Sequence, residues 1–255
     1  MIHAEDRFLP GPEWAPAGES VLPAGGELLL VVASLDVDEA RRAQHLASFT
    51  PREVHRYQSF AHDSLRFRWA AGRGTLREVL GRAVGLPPRE IAFGYGAHGK
   101  PTLHHGQQPP GALLRFNLSH SGGSALIALL RGGEVGADIE LPKGRRTDAI
   151  ARRFYAEGEN QRLFAIGDEA QRRDAFFRLW CCKEAFLKAT GEGLSRSTRS
   201  YEIELAGGAA RLLWARDLPD AAERFSVHPL EPGGPYRAAV VAEGQGLSLR
   251  RLRWP

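Results

Sequence analysis

The spacing of apolar residues alternates along the chain between the period of two typical of strands and the longer period of helices, which predicts a mixed α/β protein. Branched apolar runs bounded by glycine, proline or charged residues predict strands at 27–35, 91–95, 113–118, 124–131, 134–140, 200–205, 210–215, 224–228, 236–242 and 247–253. Helical spacing with start and stop signals predicts helices at 51–60, 64–84, 147–155 and 169–190. The first 26 residues are rich in proline and glycine, and we expect them to be extended.

Only Gly132 and Gly133 separate two of the predicted strands. A two-residue glycine loop suits the tight turn of a hairpin, because glycine adopts positive φ without strain. We therefore expect 124–131 and 134–140 to pair as antiparallel neighbours. The chain contains no detectable internal repeat.

Two acidic residues lie at the end of the second of these strands, in Gly136-Ala-Asp-Ile-Glu140. Residues two apart on a strand point to the same face, so Asp138 and Glu140 project together. Neighbouring carboxylates repel each other unless a cation lies between them. Taken alone, the pattern also fits an exposed acidic strand end.

The predicted helix at 169–190 carries an acid and a base on one face. Glu184 and Lys188 lie about 40° apart around the helix axis, because each residue advances about 100°. A surface pair of this kind contributes only about 0.3–0.5 kcal/mol and usually has polar neighbours. The neighbours here are instead aromatic or aliphatic, namely Phe176, Phe177, Leu179, Trp180 and Leu187. Glu184, Asp138 and Glu140 together supply three oxygen ligands, as Mg²⁺ prefers when phosphates complete its shell.

These segments belong to a wider set of motifs. Gly136-Ala-Asp-Ile-Glu140 is followed by Trp180-Cys-Cys-Lys-Glu-Ala-Phe-Leu-Lys188 and Gly191-Glu-Gly-Leu194. It is preceded by Arg73-Gly-Thr-Leu-Arg-Glu-Val-Leu-Gly81, Gly99-Lys-Pro101 and Phe116-Asn-Leu-Ser-His-Ser121. In order and spacing the motifs resemble those of the 4'-phosphopantetheinyl transferases. They are similar to the larger, monomeric, surfactin-synthetase-activating (Sfp) type rather than to the small trimeric holo-acyl-carrier-protein synthase type.

The resemblance implies an α/β (α+β) fold of two similar subdomains in a pseudo-twofold arrangement, each a mainly antiparallel sheet packed with a long helix. The N-terminal subdomain, residues 1–132, would carry the coenzyme A-binding helix and loops. The C-terminal subdomain, residues 133–255, would carry the metal-bearing strand and the catalytic helix. The active site would lie between them.

The resemblance also implies a reaction. The 4'-phosphopantetheine group of coenzyme A would pass to a serine of an apo acyl carrier protein, or of a peptidyl or polyketide carrier domain, with release of adenosine 3',5'-bisphosphate. Asp138, Glu140 and Glu184 would bind Mg²⁺, and Glu184 and Lys188 would be catalytic. Whether Glu184 acts as general base as well as ligand stays open, and so does the identity of the carrier client.

Coenzyme A would be bound, by the same resemblance, by a mainly cationic set of side chains. That set comprises Arg73, Arg77, Lys100, Ser119, His120 and Lys188. Arg66 and Arg68 are less well matched, so the exact set of arginines on the 3'-phosphate stays open. A further acidic residue of the family corresponds to Glu159 or, if the alignment slips, to Glu157.

Composition and charge are compatible with this hypothesis. The formal net charge is +4, from 34 basic and 30 acidic residues, and the sequence pI is about 9.3. Such a balance favours an acidic protein partner or a polyphosphate ligand. An acidic carrier protein would dock near residues 142–155, where Lys143, Arg145 and Arg146 are mixed with Ile150 and Phe154.

The apolar runs, the N-terminal residues and the cysteines of the sequence bear on its cellular location. The longest apolar runs, 28–33 and 125–130, are far too short to span a bilayer, and the start does not look like a signal peptide. The adjacent Cys181 and Cys182 indicate buried helix thiols in a reducing compartment. We therefore expect a cytoplasmic monomer that binds no membrane and no nucleic acid.

Two alternatives from other classes remain. A Mg²⁺-dependent phosphodiesterase or nuclease could use the same carboxylates and lysine, but it would leave Gly99-Lys-Pro101 and the Ser119-His120-Ser121 segment unexplained. A non-enzymatic basic binding module would need none of the carboxylates. It would lose its ligand steeply with salt.

Overall fold

The computed structural model describes residues 10–143, 146–193 and 196–255. Its strands are β1 (Ala15–Pro16), β2 (Glu27–Ser34), β3 (Phe93–Tyr95), β4 (Pro101–Leu103), β5 (Leu114–Ser121), β6 (Ser124–Arg131), β7 (Val135–Glu140), β8 (Tyr201–Ala206), β9 (Ala209–Ala215), β10 (Phe225–Leu230), β11 (Arg237–Glu243) and β12 (Ser248–Arg253). Its α-helices are α1 (Glu39–Ala47), α2 (Pro51–Gln58), α3 (Asp63–Val84), α4 (Thr147–Phe154), α5 (Glu157–Phe164), α6 (Glu169–Thr190) and α7 (Ala221–Arg224). The expected mixed α/β class is confirmed.

Most strands fall into two five-stranded sheets. The first has the order β1-β12-β2-β6-β5, and the second, which is antiparallel throughout, has the order β7-β11-β10-β9-β8. Strands β3 and β4 form a separate hairpin. The boundary expected at 132/133 falls where the chain crosses from β6 to β7, but β12, which lies beyond it, pairs in parallel with β2 of the first sheet.

The predicted hairpin between 124–131 and 134–140 is wrong. Strand β6 pairs with β2 and β5, whereas β7 pairs with β11 in the other sheet. Gly132 does adopt positive φ, at 82°, but the turn carries the chain between sheets. Alternation of apolar residues specifies which faces of a strand are buried, and it does not specify the neighbouring strand.

The two sheets pack face to face, and a 22-residue helix covers the outer face of each. In β2, Leu28, Leu30 and Val32 point to the second sheet, while the alternate residues Leu29 and Val31 pack beneath α3. Helix α6 covers the other side, with Phe186 against the second sheet. Because both faces of the central strands are buried, their sequences are continuous apolar runs.

The helix termini follow from local sequence. Thr50 caps α2 in a capping box with Glu53, and Pro51 occupies the first turn. Gly85 and Gly191 end α3 and α6 in the left-handed conformation. None of the helices in the described ranges is long and apolar enough to cross a membrane.

Candidate functional site

Helix α6 crosses β7 in unusually close contact at Gly136. A Cβ atom built on this glycine would lie 2.1 Å from the carbonyl oxygen of Ala185 and 2.2 Å from the amide nitrogen of Ala189. No side chain fits at such distances. The glycine therefore allows α6 to lie directly on the strand, which brings Glu184 and Lys188 beside Asp138.

Lys188 joins the helix to both sheets. Its Nζ donates hydrogen bonds to Oδ1 of Asp138 on β7 at 2.6 Å and to Oγ of Ser119 on β5 at 2.9 Å. Ser119, which is buried, donates in turn to the same Asp138 oxygen at 3.0 Å. Asp138 is only 4% exposed, and its other oxygen, Oδ2, is buried without a hydrogen-bond partner.

The other two predicted ligands lie close enough to Asp138 to feel its charge. Burial, followed by the negative charge of Asp138, raises the pKa of both Glu140 and Glu184 above their ordinary value. The charge of Glu184 also raises the pKa of Glu140. The three carboxylates thus form one electrostatically coupled cluster, with the Lys188 ammonium beside it.

No group of three or more His, Cys, Asp or Glu side chains within the described ranges is arranged so that it could hold a metal ion. The side chains nevertheless fit a hard divalent cation in chemical type. The orphaned Asp138 oxygen is a buried acceptor, and the mutual repulsion of neighbouring carboxylates is what such a cation relieves. The metal ligation of Asp138, Glu140 and Glu184 remains a prediction.

A cavity of about 590 Å³ opens beside this cluster, between α2, α3 and β3. His120, next to Ser119 on β5, lines it. Arg73 lines it from α3, with its guanidinium carbon 3.8 Å from the centre of the Phe93 ring and a hydrogen bond from Nη2 to the Tyr95 hydroxyl at 3.3 Å. His120 keeps contact with solvent, while partial burial of its imidazole, followed by the charge of Lys188, lowers its pKa.

Arg77, which is expected to bind phosphate alongside Arg73, also lines this cavity but is held by protein groups. Its side chain is fully buried, and it donates to both carboxylate oxygens of Glu53 and to the carbonyl oxygens of Pro88 and Ile91. Glu53 also accepts a hydrogen bond from Arg73 Nε. One carboxylate therefore fixes both arginines. The capping-box spacing from Thr50 was the sequence signal for Glu53.

The remaining predicted cations are also held by protein groups. Lys100 Nζ donates to Glu134 at 2.8 Å and to the carbonyl oxygen of Ala189, near the end of α6, at 3.0 Å. Burial lowers the pKa of Lys100 despite the neighbouring carboxylate. Arg66 pairs with Asp63 and Arg68 with Asp36. Leu194 and Arg145 lie outside the described residues.

Glu159 and Glu157 occupy different environments. Glu159 is fully buried and accepts hydrogen bonds from Lys183 Nζ at 2.7 and 2.8 Å, and the neighbouring Glu157 is exposed. Burial raises the pKa of Glu159 and lowers that of Lys183. The pair lies on the far side of α6 from Asp138, within the core of the second sheet.

A second cavity, of about 690 Å³, opens beside Glu140. Its lining includes Ser121, Glu140, Arg146, Ile150 and Trp180. The Ser119-His120-Ser121 segment therefore separates two cavities, with His120 in the first and Ser121 in the second.

Comparisons with known proteins show which family the chain belongs to. The family model described as the 4'-phosphopantetheinyl transferase superfamily matches residues 134–241, which include Asp138 and Lys188. The 4'-phosphopantetheinyl transferase HetI of Nostoc sp. is 36% identical over 194 residues, which are 76% of this chain and 79% of that protein. A 4'-phosphopantetheinyl transferase of Bacillus subtilis is 30% identical over 77% of this chain and 83% of its own length.

The 4'-phosphopantetheinyl transferase Sfp of Bacillus subtilis strain 168 is 28% identical over 81% of this chain and 87% of that protein. These relatives give no support to the phosphodiesterase or binding-module alternatives. Because relatives with at least 30% identity are matched over most of both chains, this chain belongs to the 4'-phosphopantetheinyl transferase superfamily.

Proposed function

We propose that the protein transfers the 4'-phosphopantetheine group of coenzyme A to a serine of an apo carrier protein and releases adenosine 3',5'-bisphosphate. The position of the His120-Ser121 segment between two cavities, with Glu140 in the lining of the second, carries the proposal. A reaction that joins a nucleotide donor to a protein acceptor needs two binding spaces that meet at the reacting phosphorus. The first cavity is lined by arginines and His120, and the second by Glu140, Arg146 and Ile150.

The first cavity would bind the nucleotide half of coenzyme A. Arg73 and His120 would bind the 3'-phosphate, since a charged guanidinium makes strong hydrogen bonds to phosphate oxygens. Arg77 would act through Glu53, which holds Arg73 in place. Lys100 and Ser119 would contact the nucleotide from the β3–β4 hairpin and β5.

Asp138, Glu140 and Glu184 would hold Mg²⁺, which, when bound, neutralises the charge of the pyrophosphate. The protein's own groups would accept the serine proton and stabilise the leaving group. The serine oxygen attacks the β-phosphorus, and the bond from that phosphorus to the bridging oxygen breaks as the new bond forms. Glu184 accepts the serine proton. Lys188 donates hydrogen bonds to the α-phosphate as charge builds on the leaving group.

The second cavity would receive the carrier protein. Arg146 and the partly exposed Ile150 lie at its edge, and Trp180 lies against α4 through Phe154. A basic group beside an apolar one suits an acidic helix that also presents apolar residues.

Chromatographic measurement of adenosine 3',5'-bisphosphate tests the proposal. We expect its release only when coenzyme A, Mg²⁺ and an apo carrier protein are all present. A carrier whose acceptor serine is replaced by alanine, and the Asp138→Asn variant of the enzyme, should give no release. Release without any carrier would instead establish hydrolysis of coenzyme A and would contradict the proposal.

A further inference from the structure

Strands β5 and β7 lie side by side at the site although they belong to different sheets. Three amides of β7 and its following residue donate to alternate side chains of β5. The bonds join Ala137 N to Asn117 Oδ1 at 3.0 Å, Ile139 N to Ser119 Oγ at 3.4 Å and Leu141 N to Ser121 Oγ at 3.1 Å. Side chains thus replace the main-chain partners that a neighbouring strand would supply.

The pattern has a simple geometric origin. Strand β7 pairs with β11 on one edge only, so alternate amides on its other edge need acceptors from elsewhere. Side chains two apart on β5 share one face, and their spacing equals the spacing of those amides. The sequence Asn117-x-Ser119-x-Ser121 therefore fixes the position of β7 along β5.

The two serines also donate to the carboxylates that lie between these amides. Ser119 Oγ donates to Asp138 Oδ1 at 3.0 Å, and Ser121 Oγ donates to Glu140 Oε2 at 2.9 Å. Each hydroxyl thus accepts from the backbone of β7 and donates to an acidic side chain on it. Ser119 is shared with Lys188, whereas Ser121 faces the second cavity beside Glu140.

We propose that Ser121 is a positioning residue for Glu140, an inference that rests on the proposed function. By holding Oε2, the hydroxyl fixes the orientation of a half-exposed carboxylate that would otherwise rotate toward the second cavity. Glu140 would then present its oxygens to a divalent cation in one arrangement. A residue of this kind acts through its carboxylate and does not touch the substrate itself.

The cross-strand neighbour of Ser121 provides a matched control. Ser124 pairs with Ser121 across the β5–β6 hairpin, and its hydroxyl is buried without a hydrogen-bond partner. Ser124→Ala therefore removes a hydroxyl from the same hairpin without removing a bond. Ser121→Thr retains the hydroxyl and should retain the function.

Binding of Mn²⁺, followed by electron paramagnetic resonance with and without saturating coenzyme A, tests the proposal independently of activity. Loss of a group that orients a metal ligand typically weakens metal binding about 10- to 100-fold. We expect a loss of that size for Ser121→Ala, and wild-type binding for Ser124→Ala and Ser121→Thr. Melting temperatures of Ser124→Ala and Ser121→Thr should stay close to that of the wild type. Ser121→Ala should melt somewhat lower, because the Leu141 amide loses its acceptor, so Mn²⁺ binding is compared well below its melting temperature. If Ser121→Ala does not fold, Ser121→Cys, with its weaker donor, should show an intermediate loss.

Several results would overturn the proposal: unchanged Mn²⁺ affinity in Ser121→Ala, an equal loss in Ser124→Ala, or no Mn²⁺ binding by the wild type. Transfer assays on the same variants separate this inference from the proposed function. Suppose that Mn²⁺ binding is weakened by Ser121→Ala but the wild type transfers nothing to carriers. The proposed function then fails, and the role of Ser121 stands.

Discussion

The ammonium nitrogen of Lys188 lies 2.6 Å from Oδ1 of Asp138, so a single ion pair joins α6 to the edge strand β7. The contact depends on Gly136, whose missing side chain lets the helix lie on the strand. The Lys188 ammonium supplies positive charge beside the carboxylates. The same ammonium is placed to stabilise the negative charge that develops on a phosphate during transfer.

Lys188→Ala should slow transfer much more than it weakens coenzyme A binding. An electrostatic group that acts mainly in the transition state is worth about 10²–10³ in kcat, so we expect a loss of that order. Steady-state kinetics together with calorimetric binding of coenzyme A separates the two effects. Arg178→Ala removes a cation from the same helix, where it bonds to the carbonyl oxygen of Gly207, and should change neither. Equal losses in kcat and in affinity would mean that Lys188 only holds the bound substrate.

Arg73→Ala should raise the KM for coenzyme A and spare kcat. Loss of a hydrogen bond to a charged group costs about 1.5–3 kcal/mol, which is roughly 10- to 100-fold in affinity. Dephospho-coenzyme A, which lacks the 3'-phosphate, should show a much smaller change. Arg82→Ala, on the same helix but bonded to Gly18 and stacked on Trp254, is the control. If both substrates lose affinity equally, Arg73 does not bind the 3'-phosphate.

Replacing one member of the buried pair of Lys183 and Glu159 should lower the free energy of unfolding strongly. Replacing both members should lower it much less. Lys183→Met leaves a buried carboxylate without its cation and should lower the free energy of unfolding by about 3–5 kcal/mol. The double variant Lys183→Met/Glu159→Gln should regain most of that loss, because the amide oxygen can still accept from Ile203 N. Urea unfolding of the single and double variants measures the coupling. Simple additivity of the two single losses would contradict a paired role.

Glu53 should make the stability of the protein depend on acid pH. Burial alone would raise its pKa, but hydrogen bonds from Arg77 and Thr50 and the charge of Arg73 hold it below the ordinary value of 4.5. Because the folded-state pKa is the lower one, the stabilisation is complete above the unfolded-state pKa. It is lost as the pH falls through the folded-state value.

Glu53→Gln should therefore lower the free energy of unfolding by about 3–5 kcal/mol at neutral pH. The difference from the wild type should shrink as the pH falls below 4.5, the ordinary value for this group. Glu90→Gln, an exposed residue next to Arg89, should behave like the wild type throughout. Urea unfolding across this pH range gives the result. A difference that does not change with pH would show that the charge of Glu53 is not what stabilises the arginines.

Local sequence was sufficient for most elements of the fold. Helices α3 and α6 are long and end at Gly85 and Gly191, and both were predicted nearly to the residue. Helices α1 and α5 were missed, because each is short and largely polar. Asp38 caps α1, which packs on α3, and α5 packs on α6 and β8. These partners lie in other parts of the chain, where local sequence does not reveal them.

Pairing between distant segments was not predictable in the same way. The period of β7 fixes which of its residues face α6, but its partner β11 is about a hundred positions away in the chain. The partner of Arg77 shows the same limit, since the sequence did not reveal that Glu53, on another helix, forms a buried ion pair with it. Motif resemblance located the acidic cluster, and only the structure revealed that Ser121 bonds to it.

Intact-mass spectrometry of an apo acyl carrier protein, incubated with this protein, coenzyme A and Mg²⁺, tests the central claim most directly. We predict that the carrier gains the mass of one phosphopantetheine group, and that chelation of Mg²⁺ by EDTA or the Asp138→Asn substitution abolishes the gain. A peptidyl carrier domain treated in parallel would reveal the range of clients. An unchanged mass for both kinds of carrier, with the protein folded and coenzyme A intact, would contradict the account.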